Sequence, residues 1–124
     1  MTKIPYILIV EDDEWMAEHY QRTLTEAGFR SEVVPNALAA IDSLDTMLPD
    51  ALVLDLLLVG PNAFTLLHEL KSHDDLSSIP VILCTTSASE IAEEDVKAYG
   101  ICDVLDKAGM VPQDLVVAIK KVLL

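Results

Sequence analysis

The chain has 124 residues, 52% of them hydrophobic, with 21 acidic against 8 basic side chains and a formal charge of −13. This length points to one domain, residues 1–124, with enough apolar content for a core that needs no disulfides. The charge argues against nucleic acid and anionic membrane as partners and suits basic partners or a divalent cation; no run reaches the roughly 20 apolar residues of a membrane span.

Residues 4–10 (IPYILIV) form a near-continuous apolar run, as in a strand covered on both faces. It halts at four acids, Glu11, Asp12, Asp13 and Glu14, a pattern unlike a signal peptide. Over residues 15–27, Met16, Tyr20, Leu24 and Ala27 recur at helical spacing, with Gly28 placed to end the helix. The acids therefore fall between a strand end and a helix N-terminus, where the helix dipole favours negative charge. Trp15, the only tryptophan, is expected to pack near them. Residues 30–34 read as a short strand closed by Pro35, and Asn36 as the cap of a helix running to about residue 48, before Pro49.

The next strand, residues 51–54, belongs to an apolar run that continues to Val59 and is broken only by Asp55. An ionised carboxylate inside such a run is costly unless cations, hydrogen bonds or water meet it, so the strand is expected to end there, at the rim of the sheet. A loop with Gly60, Pro61 and Asn62 leads to a helix over residues 63–73, with Phe64, Leu67 and Leu70 on one face. Residues 79–85 (IPVILCT) make a fourth strand ending in Thr85, Thr86 and Ser87. A weak helix over residues 90–99 stops at Gly100, residues 103–106 form a brief fifth strand followed at once by Lys107, and Pro112 opens an amphipathic helix to about residue 123. Cys84 and Cys102 are expected to be reduced core residues of a cytoplasmic protein. His19, His68 and His73 share no metal-ligand spacing and are assigned surface or packing roles.

Strands alternating with helices imply an α/β fold with a parallel sheet, whose ligands bind beyond the carboxyl ends of the strands. Glu11, Asp12, Asp55, Thr85 and Lys107 are therefore expected to converge on one crevice. Each has a plainer alternative: a satisfied helix N-terminus for Glu11 and Asp12, a solvated strand end for Asp55, an ordinary β-former in Thr85, a surface lysine in Lys107. Asp13 and Glu14 are assigned to the helix start.

Four motifs in register (ILIVEDD, ALVLDLLLVGPNAF, IPVILCTTSA and GICDVLDKA) make the chain resemble the receiver domain of bacterial two-component response regulators. The resemblance implies a doubly wound, flavodoxin-like (βα)5 sheet in the order 2-1-3-4-5. It implies that Asp55 accepts a phosphoryl group from a histidine kinase or histidine phosphotransfer protein. Glu11, Asp12 and Asp55 would hold Mg²⁺ with the backbone carbonyl of Leu57. Thr85 would supply the hydroxyl that closes on the phosphoryl group, and Lys107 the ammonium that pairs with it. The chemistry needs such groups in any case, because Mg²⁺ prefers hard oxygen ligands and crowded carboxylates need cations. The outcome would be a switch rather than a turnover enzyme, acting on a downstream protein through the face of the fourth helix, fifth strand and last helix. That face carries Glu93, Glu94 and Asp95, which favours a basic patch on the target.

The chain departs from the family pattern in three places. Val104 stands where the family has an aromatic on its fifth strand, and Ala108 where it has a proline after the lysine. The loop after Asp55 carries Val59-Gly60 and Ala63 in place of Pro-Gly and a final Gly. The first departure removes the rotamer route by which the family passes its signal; Tyr99 is a substitute that the sequence does not place. Two rival functions are a pseudo-receiver that docks partners without being phosphorylated, and a Mg²⁺-dependent phosphatase of the haloacid dehalogenase type. The latter carries a second acid two residues after the nucleophile, a position held here by Leu57. The expected context is a stand-alone receiver, monomeric or a weak homodimer, or one excised from a longer protein.

Overall fold

A computed structural model describes residues 3–55, 63–86 and 91–123. Leu57 and the Gly60-Pro61-Asn62 loop lie outside these residues. The order is β1 (Tyr6–Val10), α1 (Glu14–Glu26), β2 (Arg30–Val34), α2 (Ala37–Thr46), β3 (Ala51–Leu54), α3 (Ala63–Lys71), β4 (Val81–Thr85), α4 (Glu93–Ala98), β5 (Ile101–Asp106) and α5 (Pro112–Leu123). The strands form one parallel sheet in the order β2-β1-β3-β4-β5, the doubly wound arrangement expected.

Alternation along the central strands divides the core into two layers. Leu8, Val10, Leu52, Leu54, Val81 and Leu83 face one side, against Ala40 and Leu44 of α2 and Leu66, Leu67 and Leu70 of α3. Ile7, Ile9, Ala51, Val53, Ile82 and Cys84 face the other, against Tyr20 and Leu24 of α1 and Leu115 and Ile119 of α5. The near-continuous apolar runs of β1, β3 and β4 follow from burial on both faces.

Element ends differ from expectation for local reasons. β1 and β4 begin at Tyr6 and Val81 because Pro5 and Pro80 have no N–H for the ladder; their carbonyls still accept bonds, from Arg30 at 2.9 Å and Leu52 at 2.9 Å. α2 stops at Thr46 and Met47 is already extended, consistent with Pro49 disfavouring helix at Leu48. The caps match the reading: Asn36 accepts from the Ala39 N–H at 2.9 Å, and Asp13 caps α1 through the N–H groups of Trp15 and Met16. Gly28 (φ 93°) and Gly100 (φ 65°) follow α1 and α4 in the left-handed region, where a side chain would be strained.

β5 begins two residues earlier than expected, at Ile101. Ile82 pairs with Asp103 although Val81 pairs with Ile101, so Cys102 is the extra residue of a bulge. The bulge lets Ile101 and Val104, three apart, face the same layer. It also corrects the expectation for Cys102, which is exposed; Cys84 is buried, and both thiols are free.

Candidate functional site

The acids and the lysine sit one residue past their strands, and the sheet ladder still holds their backbones. The Glu11 N–H donates to the Val34 carbonyl at 3.0 Å, Asp55 to Val10 at 3.2 Å, and Lys107 to Thr85 at 3.0 Å. All the parallel strands end on one side, so their next residues gather along one edge. This is why positions 11, 55 and 107, far apart in the chain, meet in space.

The Lys107 ammonium lies between two carboxylates, donating to Glu11 Oε2 at 2.7 Å and Asp55 Oδ2 at 3.0 Å. The three side chains are only 12%, 2% and 7% exposed. Asp12, by contrast, is exposed, and Thr85 is fully buried at the end of β4. Burial holds the Glu11 carboxyl above its usual range, and Lys107 offsets only part of that. Burial would lower the Lys107 ammonium, but its hydrogen bonds to Glu11 and Asp55 prevail and raise it. Burial thus sets the direction for Glu11, and the two carboxylate partners set it for Lys107.

Glu11, Asp12 and Asp55 each offer a carboxylate oxygen, and these lie within 4.8 Å of one another. Hard oxygens, two in the crevice and one at its solvent edge, suit an ion such as Mg²⁺ that keeps several waters. Asp13 is committed to the α1 cap, as the sequence implied.

Below the acids, Tyr20 and Cys84 are buried. Burial pushes the Cys84 thiol up to about 12, Lys107 opposing and Glu11 adding, while burial pushes the Tyr20 hydroxyl upward, with the neighbouring Cys84, Glu11 and Asp55 adding. The sequence marks neither residue for the site. The pattern offered no signal, because both read as core positions. Trp15 corrects the packing assignment. It is 72% exposed and stacks on His19 at 5.7 Å, because the inward stripe of α1 runs through Ala17, Tyr20 and Leu24. Tyr99 is half-buried at the end of α4 with its ring 5.8 Å from that of Phe64, and Val104 packs against the same core layer.

Residues 7–120 match the response regulator receiver domain family. Over 85 residues the chain is 36% identical to the sensory transduction protein RegX3 of Mycobacterium tuberculosis, covering 68% of this chain and 36% of that protein. It therefore spans about a third of the length of that relative. Among solved structures, the signal receiver domain of a signal transduction histidine kinase from Syntrophus aciditrophicus is 33% identical with a TM-score of 0.83, over 96% of this chain and 89% of that one. The receiver domain of the Pseudomonas aeruginosa sensor histidine kinase PA1611, solved with magnesium in its active-site cleft, has a TM-score of 0.87 at 21% identity, over 98% of this chain and 98% of that one. Sheet order and sequence thus agree over nearly the whole chain, which belongs to the response regulator receiver domain family of two-component signalling.

Proposed function

We propose that this chain is a single receiver domain, residues 1–124, that accepts a phosphoryl group on Asp55 from a histidine kinase or histidine phosphotransfer protein. One observation carries this reading: the Lys107 ammonium bridges Glu11 and Asp55 from a third strand end, at 2.7 and 3.0 Å. A nucleophilic carboxylate attacking an anionic phosphoryl group needs cations already in place. In the transfer, an Asp55 carboxylate oxygen forms the O–P bond as the N–P bond of the donor phosphohistidine breaks. The imidazole nitrogen leaves with that electron pair.

Glu11, Asp12 and Asp55 would hold Mg²⁺, with the Leu57 carbonyl that the family resemblance adds, and the ion would screen the charge brought together by nucleophile and phosphoryl group. The magnesium in the PA1611 receiver supports this. Lys107 would pair with the transferred group and the Thr85 hydroxyl would close on it, biasing the segment that follows β4. A target would read that change on the face of α4, β5 and α5, where Glu93 and Glu94 are exposed and favour a basic partner. The domain would act in the cytoplasm as a switch, monomeric or weakly dimeric.

Treatment with a small phosphodonor and Mg²⁺, followed by intact mass, tests this. One added phosphoryl group, absent in Asp55→Asn, is the expected result; no gain with any donor overturns it. That second outcome would favour a docking module that is never phosphorylated, a reading that Val104 in place of the family's aromatic supports.

A further inference from the structure

The phosphoacceptor crevice lies at the carboxyl ends of the strands. The C-termini of α2 and α3 lie at the opposite end, because each crossover helix runs back against the sheet. A groove of about 280 Å³ opens there. Leu44 is buried among its lining residues, and Met47 and Leu48 line it while half exposed to solvent. Two large apolar side chains left uncovered on a connection of four residues are unusual where polar turn residues would serve.

The carboxylates of the lining stand beside further apolar residues, Ile41 and Leu76. Asp45, Glu69 and Asp75 all contribute, and among the described residues no lysine or arginine does. His73 also lines the groove, paired with Glu69 at 2.9 Å. The last turn of α2 carries no basic residue, so its carbonyl end adds further negative potential. Apolar side chains beside three carboxylates and a helix C-terminus complement one kind of occupant. It must bring an apolar side chain for the groove and cations for the rim.

We propose that this α2–α3 groove docks a cationic amphipathic segment of a partner protein, at the end of the domain remote from Asp55. A second copy of the chain is the poorer occupant, since at −13 it meets an acidic rim with net repulsion. The proposal is independent of phosphorylation.

The probe is a synthetic helical peptide of leucine and lysine, with leucines spaced i, i+3, i+4 and i+7, titrated into ¹⁵N-labelled full chain. Saturable shifts confined to the ends of α2 and α3 are expected. Asp45→Lys with Asp75→Lys, and separately Leu48→Ser, should each weaken binding about tenfold, whereas Glu93→Lys with Glu94→Lys should change it by less than about twofold. The substituted side chains at 45, 48 and 75 are surface groups, and unchanged shift dispersion confirms that the variants fold. Shifts spread over every acidic surface, or weakening that follows net charge wherever it is altered, would overturn the proposal. So would concentration-dependent dimerisation through this groove without peptide.

Discussion

Replacing Lys107 with methionine keeps the length of the side chain and removes the one cation between Glu11 and Asp55. At an effective dielectric of about 20, each contact, at 2.7 and 3.0 Å, is worth roughly 6 kcal/mol of gross attraction. Desolvation of three nearly buried charges offsets most of that. Removing one partner of a buried pair nevertheless costs about 3–5 kcal/mol, because the charges left behind stay buried and unpaired. Here two carboxylates would face each other, so a loss of at least about 3 kcal/mol is expected. That is a large share of the 5–15 kcal/mol typical of a whole domain. Urea unfolding should show the midpoint falling by about 1–2 M at unchanged slope. Glu11→Gln in the Lys107→Met background should recover much of the loss by removing one of the two charges. Acidification toward roughly pH 5 should also narrow the gap. An acid whose folded pKa is raised gives stability that is present at low pH and lost as pH rises. A loss under about 1 kcal/mol, or no recovery with Glu11→Gln, would refute the view of Lys107 as the cation that holds the site together.

Mg²⁺ titrated against Trp15 fluorescence should give a saturable change, weakened about tenfold or more in Asp12→Asn and in Asp55→Asn; equal affinity in the variants would dissociate the acids from the metal. The Cys84 thiol, held near 12 when folded, ionises near 8.5 when unfolded. Its contribution is therefore intact below about pH 8.5 and declines by about 1.4 kcal/mol per pH unit above it, up to about 12. Cys84→Ala should flatten that alkaline slope in urea unfolding series. Asn36→Ala removes the acceptor for the Ala39 N–H and should cost about 1 kcal/mol in the same assay, while exposed Asp42→Ala on the same helix should cost far less.

Most of the fold was legible because its signals are local. Apolar runs at β1, β3 and β4, helical spacing in α1, the Asn36 cap and the glycines after α1 and α4 each act through neighbouring residues. The strands next to Pro5 and Pro80 begin two positions later than their apolar runs, since an apolar run extends through a proline while a hydrogen-bond ladder does not. The β5 bulge was hidden for a different reason. An extra residue is visible only against the strand it pairs with, and without β4 nothing marks Cys102 as the one turned outward. The sequence leads one to expect Trp15 to pack near the acids, although the helix stripe through Ala17, Tyr20 and Leu24 leaves it outside.

The chain by itself determined that strands and helices alternate, and that Asp55 cannot lie within a buried strand, because burying an unpaired charge costs more than a strand residue contributes. It also determined which residues stand just past each strand. Only the tertiary structure decided that Lys107 Nζ rests between Glu11 and Asp55 while Asp12 stays at the solvent edge, and that Tyr20 and Cys84 lie beneath them. Distances between residues 11, 55 and 107 depend on the pairing and twist of β1, β3, β4 and β5 together, and no stretch of sequence encodes that sum on its own.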